Sequence, residues 1–142
     1  MSFTGDIYDH LSGESTLTDL VGARIYPTFN TSATETRPQI VYTTISQERH
    51  PHLTGTDPIV RSVVQFDADA ATGRSAEAVA DALRRVLDRS GPATWGTTAV
   101  RDVYIDQRRN DFEPPADADG YPTFRVSMDF VIWHVESAPI YA

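Results

Sequence analysis

His50 and His52 stand on either side of Pro51, and two imidazoles that close could share a metal ion. Proline fixes one backbone angle without making a chelating geometry, and no third ligand stands nearby. A solvent-exposed loop tip is the preferred reading. The carboxylates Asp67, Asp69, Asp102, Asp106, Asp111, Glu113, Asp117 and Asp119 could in principle supply an acid/base pair. Their spacing brings no two of them to a defined separation, and most fall at strand ends or in a loop. Asp117-Ala118-Asp119-Gly120 has a loose likeness to a calcium loop but lacks the further ligands and the closing bidentate Glu. Ser, His and Asp occur with no G-x-S-x-G elbow. The glycines form neither G-x-G-x-x-G nor a phosphate loop. Arg108-Arg109 is a paired basic spot at a strand end, better read as a rim salt-bridge donor than as a phosphate clamp. The chain has no cysteine, which excludes disulfides, thiolate metal sites and a cysteine nucleophile. No catalytic, cofactor-binding or metal residue is therefore assigned.

The elements that carry these residues centre on 59–91. Val60, Val63, Val64 and Phe66, with Arg61 and Gln65 between them, predict a strand. Thr72-Gly73 breaks it, and Ser75 is placed as an N-cap. Ala76, Val79, Ala80, Leu83, Val86 and Leu87 then recur at helical spacing, with Glu77, Asp81, Arg84, Arg85 and Asp88 opposite them. Gly91-Pro92 closes the helix, Gly offering a left-handed cap and Pro barring continuation.

Upstream, Ile7, Tyr8 and Leu11 predict a short helix from Phe3 to Leu11 with Thr4 as its cap. Thr16 followed by Asp19 has the form of a capping box over one turn, with Leu17, Leu20 and Val21 facing inward. Ile25-Tyr26-Pro27 is extended. Residues 28–37 are a loop, 38–47 a strand and 48–58 a long connection, so that 38–68 forms a hairpin with an extended tip. Downstream, 97–109 is a strand in which Val103 and Ile105 share a face with Arg101 and Gln107, while Val100 and Tyr104 share the other. Residues 110–122 form an acidic loop.

In 123–135, Phe124, Val126, Met128, Phe130 and Ile132 line one face and Arg125, Ser127 and Asp129 the other. Val131, Trp133 and Val135 make that second face apolar as well, which implies a cover for it. Two covers remain open, the chain's own N-terminal segment or a neighbouring subunit. The fold class expected is α+β: one sheet of about four strands, two hairpins joined by a crossover helix, with the main helix and a short N-terminal helix packed on it. Residues 1–136 are expected to form one domain and 137–142 a loose arm.

The 142 residues suffice for a core without staples. A net charge of −8 opposes tight, sequence-independent binding to nucleic acid yet allows a duplex to pass without sticking. No apolar run approaches the roughly 20 residues that span a bilayer, and the first residues show no basic or apolar leader region. A soluble chain made in the cytoplasm is the expectation.

The stretches LTDLVGARIYP (17–27), PQIVYTTIS (38–46), VVQFDADAATGRSAEAVADALRRVLD (63–88) and FRVSMDFVIWHVE (124–136) occur in an order and at separations that resemble the tail-completion family of long-tailed phages and phage-like particles, also called tail terminator or head-to-tail joining proteins. The likeness runs from about Asp6 to Glu136, and each stretch is a packing pattern rather than a catalytic signature. The acidic loop 110–122 is longer than is usual for that family.

The resemblance implies a structural role without catalysis or cofactor. Such proteins form a ring, typically of six subunits, that caps the finished tail tube, ends its polymerisation and docks it to the head connector or stopper. The implied location is the head–tail junction of the virion. Implied partners are further copies of the chain, the tube protein and the connector, with DNA passing through the lumen unbound and no membrane. Candidate interface residues are His50, His52, Leu53, Arg108, Arg109, Val131 and Trp133. Two other classes stay open: a small accessory binding module using the Trp133 face, and an enzyme with an unrecognised site.

Overall fold

The structure, a computed structural model, describes residues 3–27, 38–50, 59–114 and 122–136. Three helices, α1 (Phe3–Ser12), α2 (Ser15–Val21) and α3 (Gly73–Leu87), lie against a sheet of β1 (Ile25–Pro27), β2 (Gln39–His50), β3 (Ile59–Ala70), β4 (Ala93–Trp95), β5 (Thr98–Glu113) and β6 (Thr123–Val135). The sheet order is β1-β2-β3-β6-β5-β4. The class is the α+β expected, and both predicted hairpins form, β2 with β3 and β5 with β6, joined by antiparallel pairing of β3 with β6.

Six strands stand where about four were expected. The extra two are three-residue edges: β1 runs parallel to β2, and β4 pairs with the start of β5. Such short pieces carry too little alternation to be read as strands from sequence. β2 continues through Glu48 to His50 and β5 through Asn110 to Glu113, both into stretches assigned to loops. Cross-strand pairing there overrides a polar, turn-like composition. The expected loops 28–37 and 51–58, residues 115–121 of the acidic loop, and the arm 137–142 lie outside the described residues.

One face of the sheet carries the core. Ile40 and Tyr42, Val64, Phe66 and Ala68, Val100 and Val103, and Val126, Met128, Phe130 and Ile132 are buried under Ile7 and Leu11 of α1, Leu17 and Val21 of α2, and the apolar stripe of α3. Phe66 stacks on Tyr42 and meets Phe130 edge-on. Val100 shares the core with Val103 because Arg101 is an extra residue, a bulge that corrects the simple alternation predicted for β5. A second bulge at Asp106 restores the phase beyond Ile105, and a third in β2 leaves Ile45 unpaired.

The helix ends differ from the sequence reading in four places. Thr72, three residues before Ser75, is the true N-cap of α3: its Oγ1 accepts the Ser75 N–H at 3.1 Å. The left-handed residue after α3 is Arg89 (φ 61°), not Gly91. Gly91 is required for space instead, since a Cβ there would sit 2.8 Å from the Arg101 carbonyl oxygen and 2.9 Å from Asp102 Cα. α2 starts two residues early, at Ser15 with Glu14 as cap, so the Thr16–Asp19 box does not form, and Leu20 is 38% exposed. Thr4 lies inside α1, and its carbonyl accepts from the Tyr42 hydroxyl at 2.8 Å. Burial pushes that phenol up to about 12, so it remains a donor.

Candidate assembly surface

The polar groups that could do chemistry fall into two sets, one sealed beneath the helices and one on the face they leave open. In the sealed set, Ser62 Oγ lies 2.8 Å from His134 Nε2, the spacing of a serine nucleophile and its base. Both side chains are buried, however, and the Phe3 ring stacks on the imidazole at 3.9 Å. Gln47 Nε2 also donates to Ser62 Oγ, at 3.1 Å. The pair thus links β3 to β6 beneath the Phe3 ring, where α1 crosses the sheet. Sequence reasoning missed it because 72 positions separate the two, although both fall in phase with the apolar face of their strands.

Asp6 belongs to the same set. It is fully buried in α1, and its Oδ2 accepts from Thr98 Oγ1 and Thr97 Oγ1, tying the helix to the β4–β5 turn. Gly96 in that turn has φ 58°, and a Cβ on it would collide with the Asp6 carboxylate. At the far end of α1, His10 stacks on Trp95 at 4.4 Å. α1 is therefore clamped by an imidazole–aromatic stack at each end.

Burial lowers the pKa of both imidazoles from their ordinary 6.5, although Glu14 near His10 and Glu136 near His134 act in the opposite direction. The native state then binds fewer protons than the unfolded chain once pH falls below about 6.5, so the contribution of both groups is complete above that value and declines below it. The melting temperature is expected to drop between pH 7.5 and 5.5. A His10→Gln/His134→Gln variant should be less stable at pH 7.5 yet show a flatter profile; an equally steep profile would assign the dependence to other groups.

The open face carries two zones. The first is a polar lattice across β3, β6 and β5. Asp67 Oδ1 accepts from Ser127 Oγ (2.6 Å) and Gln65 Nε2 (3.0 Å), while Arg109 reaches Gln65 Oε1 (2.8 Å) and Asp129 (3.3 Å). Arg125 bonds Asp69 at 2.8 Å and Glu113 at 3.3 Å, and the bond to Asp69 is the main reason its pKa is raised. The second zone is apolar: Val63, Val131, Tyr104 and Trp133, with Trp133 Nε1 donating to the Tyr104 hydroxyl at 3.3 Å and the Arg89 guanidinium 5.8 Å from the Tyr104 ring. Among the described residues no helix covers this face, so α1 and α2 are not its lid.

The candidate interface residues fall in different places. Trp133 is half-buried on the open face, as its alternation predicted. Val131 shares that face but is only 1% exposed, sealed within the sheet surface rather than available for contact. Arg108 and Arg109 are exposed on β5; Arg108 lies on the helix side, bonded to Asp81 of α3 at 3.0 Å, and Arg109 on the open side. His50 ends β2, and His52 and Leu53 lie outside the described residues, as does Asp117–Gly120. The structure thus separates Arg108 from Trp133 by the thickness of the sheet.

The sheet thus has one helix-covered face and, among the described residues, one face and two long edges that no helix covers, which offer broad surface for contact with other macromolecules. The family comparison makes this specific: the profile of the Tail completion protein gp17 family matches residues 5–135, and the chain belongs to that family. It is accordingly a structural protein of a phage-type tail. A solved chain from the virion of a native gene transfer agent particle has the same fold, with TM-score 0.63 and 17% identity over 95% of this chain and 96% of that one. A second solved chain is 20% identical over 99% of both chains, with TM-score 0.41. No curated protein matches the chain.

Proposed function

We propose that this protein caps the tail tube as a closed ring of identical subunits, six in number, stops tube growth and joins the tail to the head connector. The family match over residues 5–135 is the observation that carries this reading. The chemistry of the fold supports it: the nucleophile–base pair Ser62–His134 is sealed, while the open face and the strand edges offer large areas for packing. A ring of identical chains needs a head-to-tail contact whose rotation closes on itself. One rim of the ring would match the last tube ring and the other the connector, and the net charge of −8 would let DNA move through the lumen without adhering. The role is mechanical and uses no cofactor. Trp133, His50, His52, Leu53, Arg108 and Arg109 are the proposed contact residues, with Val131 supporting Trp133 from within the sheet.

Deleting the gene in the parent particle tests the reading. Filled heads lying beside detached or overlong tails, seen by negative-stain electron microscopy, are the expected outcome. Particles with tails of normal length, joined to heads, would reject it and favour an accessory binding module.

A further inference from the structure

We propose that the second halves of β2 and β5, whose outer edges pair with no other strand among the described residues, are the two sides of one interface, in which 106–113 of one copy pairs as an antiparallel strand with 44–50 of the next. The proposal rests on the ring reading and names the contact that would build it.

β1 pairs with β2 only at Ile40–Tyr42, and β4 with β5 only at Thr98–Val100. Among the described residues no strand pairs with the outer edge of either strand beyond those points. Three antiparallel steps separate β2 from β5, so the two run antiparallel and their unpaired halves lie at opposite ends of the sheet. The sheet thus has a step at each side, and a copy placed alongside brings its β5 step against the β2 step in antiparallel sense, with both helix layers on the same face.

The backbone groups are in phase. Ile40 gives its N–H outward to Arg24 O, and the bulge at Ile45 passes the outward-facing role to Gln47 and Arg49. On β5, Val103 O and Ile105 N face outward to Arg89 and Asp88; past the Asp106 bulge, Arg108, Asn110 and Phe112 do so. Setting Gln47 opposite Asn110 and Arg49 opposite Arg108 lets unpaired N–H and C=O groups complete each other.

The side chains choose this register. It sets Glu48 opposite Arg109 on the open face and brings Ile45 to Phe112. These are the two most exposed large apolar side chains among the described residues, at 54% and 51%, and each lies on one of the two edges. Arg49 and Arg108 also meet, but each already holds a carboxylate of its own chain, Glu136 and Asp81. Charges on both edges oppose pairing with an unmatched strand, so the matched edge is the permitted partner.

The cysteine-free chain allows a direct test. Ser46 and Asp111 are exposed and would form a closely spaced cross-strand pair, about 4.5 Å between Cα atoms and within disulfide reach. Purified Ser46→Cys and Asp111→Cys chains are mixed at high concentration and oxidised, with Asp19→Cys on α2 as the control partner for Asp111→Cys. A 46–111 heterodimer on the order of ten times more abundant than the 19–111 product is expected, with little homodimer of either chain alone. Native mass spectrometry of the unmodified protein separates the two claims. Rings without the 46–111 link overturn the edge pairing and leave the ring reading intact. The link in open chains that never close supports the edge pairing and counts against the ring. A monomer with no preferential link overturns the edge pairing, and the deletion phenotype then decides the ring reading alone.

Discussion

Replacing Phe66 with alanine is expected to cost about 3–5 kcal/mol of folding stability, the upper end of what truncating one core side chain costs. Phe66 is fully buried at the middle of β3, where its ring lies 6.0 Å from Tyr42 and 5.7 Å from Phe130. The loss has two parts: the transfer of the ring out of water, and the cavity left between β2, β6 and the helices. The aromatic contacts add roughly 0.5–1.5 kcal/mol each. For a chain of this length the melting temperature should fall by roughly 10–15 °C. Phe112→Ala gives the contrast. That ring is half exposed at the sheet edge and touches Phe124 at 4.8 Å, so a cost of about 1 kcal/mol is expected. Chemical denaturation of both variants measures the difference; similar losses would show that Phe66 is not the centre of the core.

The second large effect is expected on the open face. Arg125→Met removes the guanidinium that bonds Asp69 at 2.8 Å and leaves that nearly buried carboxylate with the Gln39 amide at 3.4 Å. Breaking a buried ion pair from one side costs about 3–5 kcal/mol because a desolvated charge is left behind. Arg125 retains 29% of its side-chain exposure, so water compensates part of this and about 2–3 kcal/mol is the expected figure. The double variant Asp69→Asn/Arg125→Met should recover most of the loss. A double variant as unstable as the sum of the two single ones would mean that the pair is not coupled.

The two substitutions act on opposite sides of the sheet. Phe66 lies on the face that holds the subunit together, and the Asp69–Arg125 bond lies on the face turned away from the helices. Cross-strand bonds such as Arg109 to Asp129 keep long side chains flat against that face. A surface so pre-ordered loses less entropy when another protein docks on it.

The α3 helix, the β2–β3 and β5–β6 hairpins and the phase of β6 were legible in the sequence, because periods of 3.6 and 2 record which side of each element is buried. The order of four packing stretches likewise carried the family, since packing patterns persist along a chain without any catalytic residue to mark them. What the residues could not carry were the contacts made across distance. β1 and β4 are too short for a period and exist only because a neighbouring strand accepts them. The bulges at Ile45, Arg101 and Asp106 shift the phase of otherwise regular strands, and such shifts are set by pairing rather than by the residue that bulges. The burial of Val131, the sealing of Ser62 and His134, and the placement of Arg108 and Trp133 on opposite faces were likewise decided by tertiary structure. Alternation gives each strand two sides, but only packing of the helices against one of them decides which side is closed and which is left for a partner.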